Sequence, residues 1–226
     1  IQPCDAVPGG SGGTAVHISR DGGQTWNDPG AGKPKPEFAE GQTGAWIAGI
    51  HAGVVQLHDG RLLAFGRGNN IDDRMPMSIS EDMGETWSYS PSPFLPIGGG
   101  QRLVLLRLQE GPLFLASFTG GRKDQPEMEV TDVAGHKRSV TGLFTAVSLD
   151  EGQTWSNIRL VSHDGPDRQL ETTNGNPFTM GISTAEPGGY LAGCQSPDGL
   201  IHLISSKQHY TFNLTWLTTP PPAVEA

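Results

Sequence analysis

An eight-residue pattern, Ser-x-Asp-x-Gly-x-Thr-Trp, occurs three times in this chain, at Ser19–Trp26, Ser80–Trp87 and Ser148–Trp155. An eroded fourth copy runs from Ser206 to Trp216 and keeps the tryptophan but neither the Asp nor the Gly. The four tryptophans, at 26, 87, 155 and 216, are spaced by 61, 68 and 61 residues. Self-similarity at a fixed period means that one supersecondary unit is used repeatedly. Each box has the chemistry of a tight turn: the carboxylate accepts from backbone N–H groups of its own turn, and Gly supplies a positive φ. Thr and Trp then open the next strand, where the indole closes the gap to a neighbouring unit. On this reading the box aspartates are structural.

Between the boxes the chain reads as short strands. Ala52–Leu57, Arg61–Gly66, Met75–Ser80 and Thr86–Tyr89 form one set; Leu103–Leu108, Leu113–Phe118, Leu143–Ser148 and Thr154–Val161 form a second. A third set is expected at Phe178–Ser183, Tyr190–Gln195, Leu200–Ser205 and Phe212–Leu217, and Ala15–Trp26 holds the last strand pair of a further unit. Turn-bounded strands without helical periodicity argue an all-β fold. Four strands per unit of about 60 residues argue antiparallel β-propeller blades. The expectation is a partial propeller of about three and a half blades over residues 1–218, followed by a Pro-rich tail at 219–226. Propellers need roughly four to eight blades to protect their sheet edges. Another chain or a missing N-terminal segment is therefore expected to complete this one.

Charge narrows the partners. Lys and Arg number 15 against 24 Asp and Glu, a net charge of -9. Such a chain repels a phosphate backbone or an anionic membrane at long range, so neither is an expected partner. An anionic ligand would need a local arginine cluster. No apolar run approaches the roughly 18 residues of a membrane span. The chain starts at Ile1 with no basic or apolar leader, so either a signal segment has been removed or upstream sequence is missing. Cys4 and Cys194 form one disulfide or remain two free thiols. Asn213-Leu214-Thr215 is an N-glycosylation sequon. A secreted or extracytoplasmic location is the expectation.

The boxes resemble the Asp-box, or BNR repeat, of sialidases and related propeller proteins. Gly49–Leu57 with Asp59–Leu63, Gly99–Leu105, and Gly188–Ala192 with Ser196–Ser206 are similar to the BNR-repeat sialidase-like group. The resemblance spans nearly the whole chain and implies a carbohydrate substrate. In sialidases it would further imply an arginine triad for the substrate carboxylate, an Asp acid/base and a Tyr–Glu nucleophile pair. The first-blade arginine of sialidases lies in a Phe-Arg-Ile-Pro-like motif, which this chain lacks; Arg74-Met75-Pro76 is its nearest match, at the start of a third strand.

Strand direction sorts the loops. If the boxes join third and fourth strands at one face, the short Asp59-Gly60 and Glu110-Gly111 turns share that face. The long connections 27–50, 67–75, 90–101, 119–142 and 162–176 then gather at the opposite rim, where binding chemistry usually sits. On that rim Arg67, Arg74 and Arg102 are candidate substrate-binding groups, because guanidinium forks match carboxylates bidentately. The alternative is that each serves a loop ion pair. Trp46, outside the repeat, would stack on a sugar ring or simply pack. Candidate catalytic groups are Asp73 as general acid, His51 as base or hydrogen-bond donor, and Glu171 as a second carboxyl. Each has a structural alternative as well. The mixed-charge stretch 120–139 reads as a solvated insertion, a lid or a partner contact.

No cofactor is expected. The seven histidines are scattered, with no His-x-x-Glu-His or Cys-x-x-Cys spacing, no phosphate loop and no Gly-x-Ser-x-Gly elbow. The function expected is a sialidase-like glycoside hydrolase acting on terminal acidic or neutral sugars of glycans; the alternatives are a propeller polysaccharide lyase acting next to a uronate and a non-catalytic carbohydrate-binding propeller.

Overall fold

A computed structural model describes residues 1–5, 12–120 and 128–223. The chain is nearly all β, with 42% strand and 2% helix, in antiparallel sheets. It forms two compact units, Ile1–Pro96 and Ile97–Ala226.

In the first unit, β1 (Gln2–Asp5) and β2 (Thr14–His17) form a two-stranded ribbon. Next come β3 (Thr43–Gly44), β4 (Ile50–Gln56), β5 (Leu62–Arg67), β6 (Pro76–Ser80) and β7 (Trp87–Pro91). They make one five-stranded antiparallel sheet in the order β3-β7-β6-β5-β4. Strands β4 to β7 follow the expected set. The core packs Val16 and Ile18 of the ribbon segment with Ile47, Leu62, Ala64, Trp87 and Tyr89, all buried. Two differences stand out. The 27–50 connection contributes β3 as a fifth strand, and Ala15–Trp26 is not a strand pair. β2 pairs with β1 instead, and only the Ile18–Asn27 bridge spans the first box.

The second unit opens with β8 (Val104–Arg107) and β9 (Leu113–Phe118). β10 (Met128–Thr131) and β11 (Lys137–Val140) form a separate hairpin before β12 (Leu143–Ser148) and β13 (Ser156–Leu160). The sheet order β13-β12-β9-β8 is the expected four-stranded meander, interrupted by that hairpin. Of the charged stretch 120–139, the segments 128–131 and 137–139 lie in strands, and its positions Arg122, Lys123, Asp124 and Glu127 lie outside the described residues. Val133 N donates to Pro221 O and Arg138 Nη1 to Pro222 O, so the Pro-rich segment is docked on the hairpin.

The third expected set is where the sequence misleads most. β14 (Arg168–Leu170) pairs with β15 (Phe178–Met180), so Phe178 does not open a four-stranded sheet. β16 (Ala192–Gln195), β17 (Ile201–Ile204) and β18 (His209–Phe212) form a three-stranded sheet. In place of the expected strand Phe212–Leu217 stands a short helix, α1 (Leu214–Thr218). The physical reason is local. The eroded box has no Asp or Gly to close its turn, whereas the Asn213 side chain caps a helix by accepting from Trp216 N at 2.9 Å. Trp216 still packs, between Phe212 at 5.0 Å and the Arg159 guanidinium at 4.0 Å.

The three complete boxes share one geometry. In the second, Thr86 N and Thr86 Oγ1 donate to the two oxygens of Asp82 at 2.8 and 2.6 Å, Ser80 Oγ donates to Asp82 at 2.8 Å, and Gly84 N donates to Ser80 Oγ at 2.7 Å. Asp21 and Asp150 repeat the set with Thr25 and Thr154. Positive φ falls on two successive residues, Met83-Gly84 in the second box and Glu151-Gly152 in the third. The bonds favour the ionised carboxylates. The Thr25 hydroxyl and N–H, with Ser19, lower Asp21 to about 2, and Asp150 is lowered in the same way by Thr154. For Asp82, burial opposes the shift, but the bonds from Thr86 and Ser80 still carry it down.

Candidate functional site

Strand pairing places the boxes and the short turns at one end of each sheet. Leu62, just after the 58–60 turn, sits opposite Ser80 of the second box, and Leu113 opposite Ser148 of the third. Arg107 holds that end in the second unit with a bidentate pair to Glu151, 2.8 and 2.6 Å long. The other end of each sheet carries the long connections and the candidate residues, and each unit is taken separately.

In the first unit, β4 has a register shift between Ile50 and Gly53, a bulge that re-aims the intervening residues. His51 lies there with φ 54°, beside Gly49 at φ 79°. Gly49 is required: a Cβ would sit 2.8 Å from Arg67 N. The bulge delivers His51 to Asp5 at the end of β1. Its backbone N donates to Asp5 Oδ1 at 2.7 Å, and Nδ1 lies 2.9 Å from Asp5 Oδ2. A carboxylate on Nδ1 fixes the tautomer and puts the lone pair on Nε2, the arrangement of a general base with its orienting acid. Asp5 was not among the residues expected from sequence.

Arg67, half-buried, ends β5 opposite Ile50, so it shares the His51 end of the sheet. Arg74 and Asp73 are exposed in a turn closed by the Ile71–Arg74 bridge, with Asp73 at φ 57°. The indole of Trp46 faces Gly30, where a Cβ would overlap Nε1, and that nitrogen is buried. Trp46 therefore has a packing contact on its indole, and its carbonyl accepts from Tyr89 OH at 2.7 Å.

In the second unit, Arg102 N donates to Gly189 O at 3.0 Å, and the Arg102–Tyr190 bridge sets two exposed side chains next to one another. The chain turns tightly at Gly189, where a Cβ would stand 2.5 Å from Glu186 Oε1. Glu186 is fully buried. Its Oε2 accepts from Ser205 Oγ at 2.7 Å and from Tyr210 OH at 2.8 Å. Burial first, then the Glu186 charge and hydrogen bond, push the Tyr210 phenol far above its ordinary range. A proton held this firmly leaves only when a base receives it.

Tyr210 also lines a cleft of about 490 Å³ with His163, Arg168, Gln208, Asn213 and Trp216. Glu171 is exposed just beyond β14, and its carbonyl accepts from Gln208 Nε2, which ties that segment to the same 205–208 turn that serves Glu186. Sequence reading missed Glu186, Tyr210 and Arg168. No local motif joins Glu186 to Tyr210, which are 24 residues apart. Cys4 and Cys194 are both free thiols, and burial raises Cys4 further from reactivity, with Asp28 and Asp5 adding to the effect.

Comparison with known proteins matches residues 17–28 to the BNR/Asp-box repeat, the segment of the first box. No curated protein matches. Among solved structures, a mannose phosphorylase from Leishmania mexicana, MPT-4, in complex with phosphate ion, is similar with a TM-score of 0.40 and 13% identity, over 94% of this chain and 64% of that one. A protein of unknown function from Dyadobacter fermentans is similar with a TM-score of 0.36 and 15% identity, over 92% of this chain and 70% of its own. The chain thus spans 64% of the length of the phosphorylase.

Proposed function

We propose that this chain is part of a sialidase-like glycoside hydrolase that acts on acidic sugars, exported from the cytoplasm, with its four-stranded meanders serving as blades of a propeller that another segment or chain completes. The observation that carries the reading is Tyr210, which lines a sugar-sized cleft and whose phenol lies 2.8 Å from the buried Glu186 carboxylate behind it. In a retaining reaction the Tyr210 oxygen attacks the anomeric carbon while its proton passes to Glu186, and the sugar–aglycone bond breaks as an acid protonates the leaving oxygen. Glu171, held beside the same turn, is the candidate acid in this unit. Water, deprotonated by the same carboxylate that served as the acid, then hydrolyses the tyrosyl glycoside at the anomeric carbon, and Glu186 returns the proton to the Tyr210 oxygen. Arg168 in the cleft, or Arg102 beside Tyr190, takes the substrate carboxylate through its planar fork.

A second reading is favoured by the His51–Asp5 dyad. An imidazole oriented by a carboxylate suits abstraction of the proton next to a uronate carboxylate, which is lyase chemistry. Product analysis on acidic glycans separates the two. A hydrolase releases a reducing sugar without new ultraviolet absorbance; a lyase product absorbs through its new double bond. A fluorinated acidic glycosyl fluoride should label Tyr210, read by peptide mass spectrometry, and a label on another residue would refute the assignment.

A further inference from the structure

The seven histidines are scattered in sequence, yet folding brings two of them into contact. β16, β17 and β18 bury one face, with Ile201, Leu203 and Phe212 inside, and expose the other. On the exposed face His202 Nδ1 lies 3.2 Å from His209 Nε2. The ring centroids are 5.4 Å apart, and the planes differ by 19°. The centroid separation exceeds the nitrogen separation by little more than the two ring radii, so the rings meet edge to edge, nitrogen facing nitrogen.

The other nitrogen of His202 fixes which of these atoms carries a lone pair. Ser196 Oγ donates to Asp198 Oδ1 at 2.5 Å, and this leaves its lone pair to accept from His202 Nε2, 3.2 Å away. Asp198 is in turn held by Leu200 N at 3.2 Å. His202 is therefore the Nε2–H tautomer, with Nδ1 turned as an acceptor toward His209. A metal-bound imidazole is oriented in the same manner, through a hydrogen bond from its second nitrogen to a carboxylate or its relay. Two imidazole nitrogens on one tetrahedral ion, at about 2.0–2.1 Å from the metal, stand about 3.3 Å apart.

We propose that His202 and His209 form a two-imidazole chelate for a borderline divalent cation of the zinc and copper group. The ion takes the place of the His209 Nε2 proton between the rings; that proton leaves to solvent as Nδ1 of the same ring takes one up, so the imidazole stays neutral, and small swings of the two rings aim both lone pairs at the ion. Water completes the coordination, since among the described residues no three His, Cys, Asp or Glu side chains are grouped to hold a metal. Cys194 lies opposite His202 across the β16–β17 ladder as an exposed free thiol, and the chelate does not use it. Copper(II) binds most tightly, following the usual order of divalent metals at nitrogen sites.

The test is titration of the whole protein with copper(II) chloride and with zinc chloride, by calorimetry and, for copper, visible absorption. One equivalent should bind, with copper tighter than zinc. His202→Ala and His209→Ala should each abolish that equivalent, while Ser196→Ala should weaken it by about tenfold through loss of the orienting bond. Circular dichroism of each variant checks that the sheet remains folded, and His163→Ala and Cys194→Ser should bind as the parent does. No saturable equivalent in the parent, retention in folded His202→Ala, or loss in Cys194→Ser would overturn the proposal.

Discussion

The first and second boxes share Ser, Asp, Gly, Thr and Trp at the pattern positions and the same hydrogen bonds around the aspartate, yet their tryptophans differ in environment. Trp87 is 1% exposed in the core between the β1–β2 ribbon and the five-stranded sheet, while Trp26 is 52% exposed. Both indoles donate to the glycine carbonyl of their own box, at 3.2 and 3.1 Å. The turn is therefore a self-contained device that forms wherever its residues occur. What varies is whether an apolar neighbour covers the indole, and that decides how much the tryptophan adds to stability.

Substitutions at the two tryptophans and the box aspartate should separate a covered indole from a solvated one. Trp87→Ala should cost about 3–5 kcal/mol in chemical denaturation, because it leaves a cavity in the first unit's core. Asp82→Ala should cost about 1 kcal/mol, since it removes the bonds to Thr86 and Ser80 at a mostly solvated turn. Acid should act on the boxes in the same sense. Folded-state carboxylates lowered below their unfolded values stabilise the fold fully at pH well above the ordinary carboxylate value of about 4, and that contribution fades as pH falls through the folded values, about 2 for Asp21 and below the ordinary value for Asp82 and Asp150. Asp82→Ala should therefore lose less stability than the parent as pH falls below the ordinary carboxylate value of about 4, as thermal melts would read. Trp26→Ala should stay within about 0.5 kcal/mol. A cost for Trp26→Ala equal to that of Trp87→Ala would mean that both indoles are covered in solution, and the contrast would fall.

The parts legible in the sequence are those that local chemistry determines. The boxes, the 58–60 and 109–111 turns, and strands β4 to β9 and β12 follow from turn residues and apolar runs that need no distant partner. The misread parts depend on competition. Once the fourth box lost its Asp and Gly, the Asn213 cap chose a helix, and Phe178 found β14 rather than β16. The sites were the least legible. His51 was visible as a histidine at a strand start, but its partner Asp5 is 46 residues away and reaches it only through a bulge. Glu186 lies in a Pro-Gly-rich turn that reads as a connection, and nothing nearby announces Tyr210. Arg67, Arg74, Arg102 and Glu171 stand out in the sequence by residue type and loop position alone, and their neighbours come from distant parts of the chain, as Arg102 beside Tyr190 does.

In the proposed division of labour the boxes hold the fold, while Tyr210, bonded to the buried Glu186, carries the reaction. The direct measurement is turnover of an acidic aryl glycoside by the parent, Tyr210→Phe and Asp82→Ala, each scaled to its folded fraction from a denaturation curve. The account predicts a loss of about 10²-fold or more for Tyr210→Phe and parental turnover per folded molecule for Asp82→Ala. Parental turnover in Tyr210→Phe, or a specific loss in folded Asp82→Ala, would contradict it.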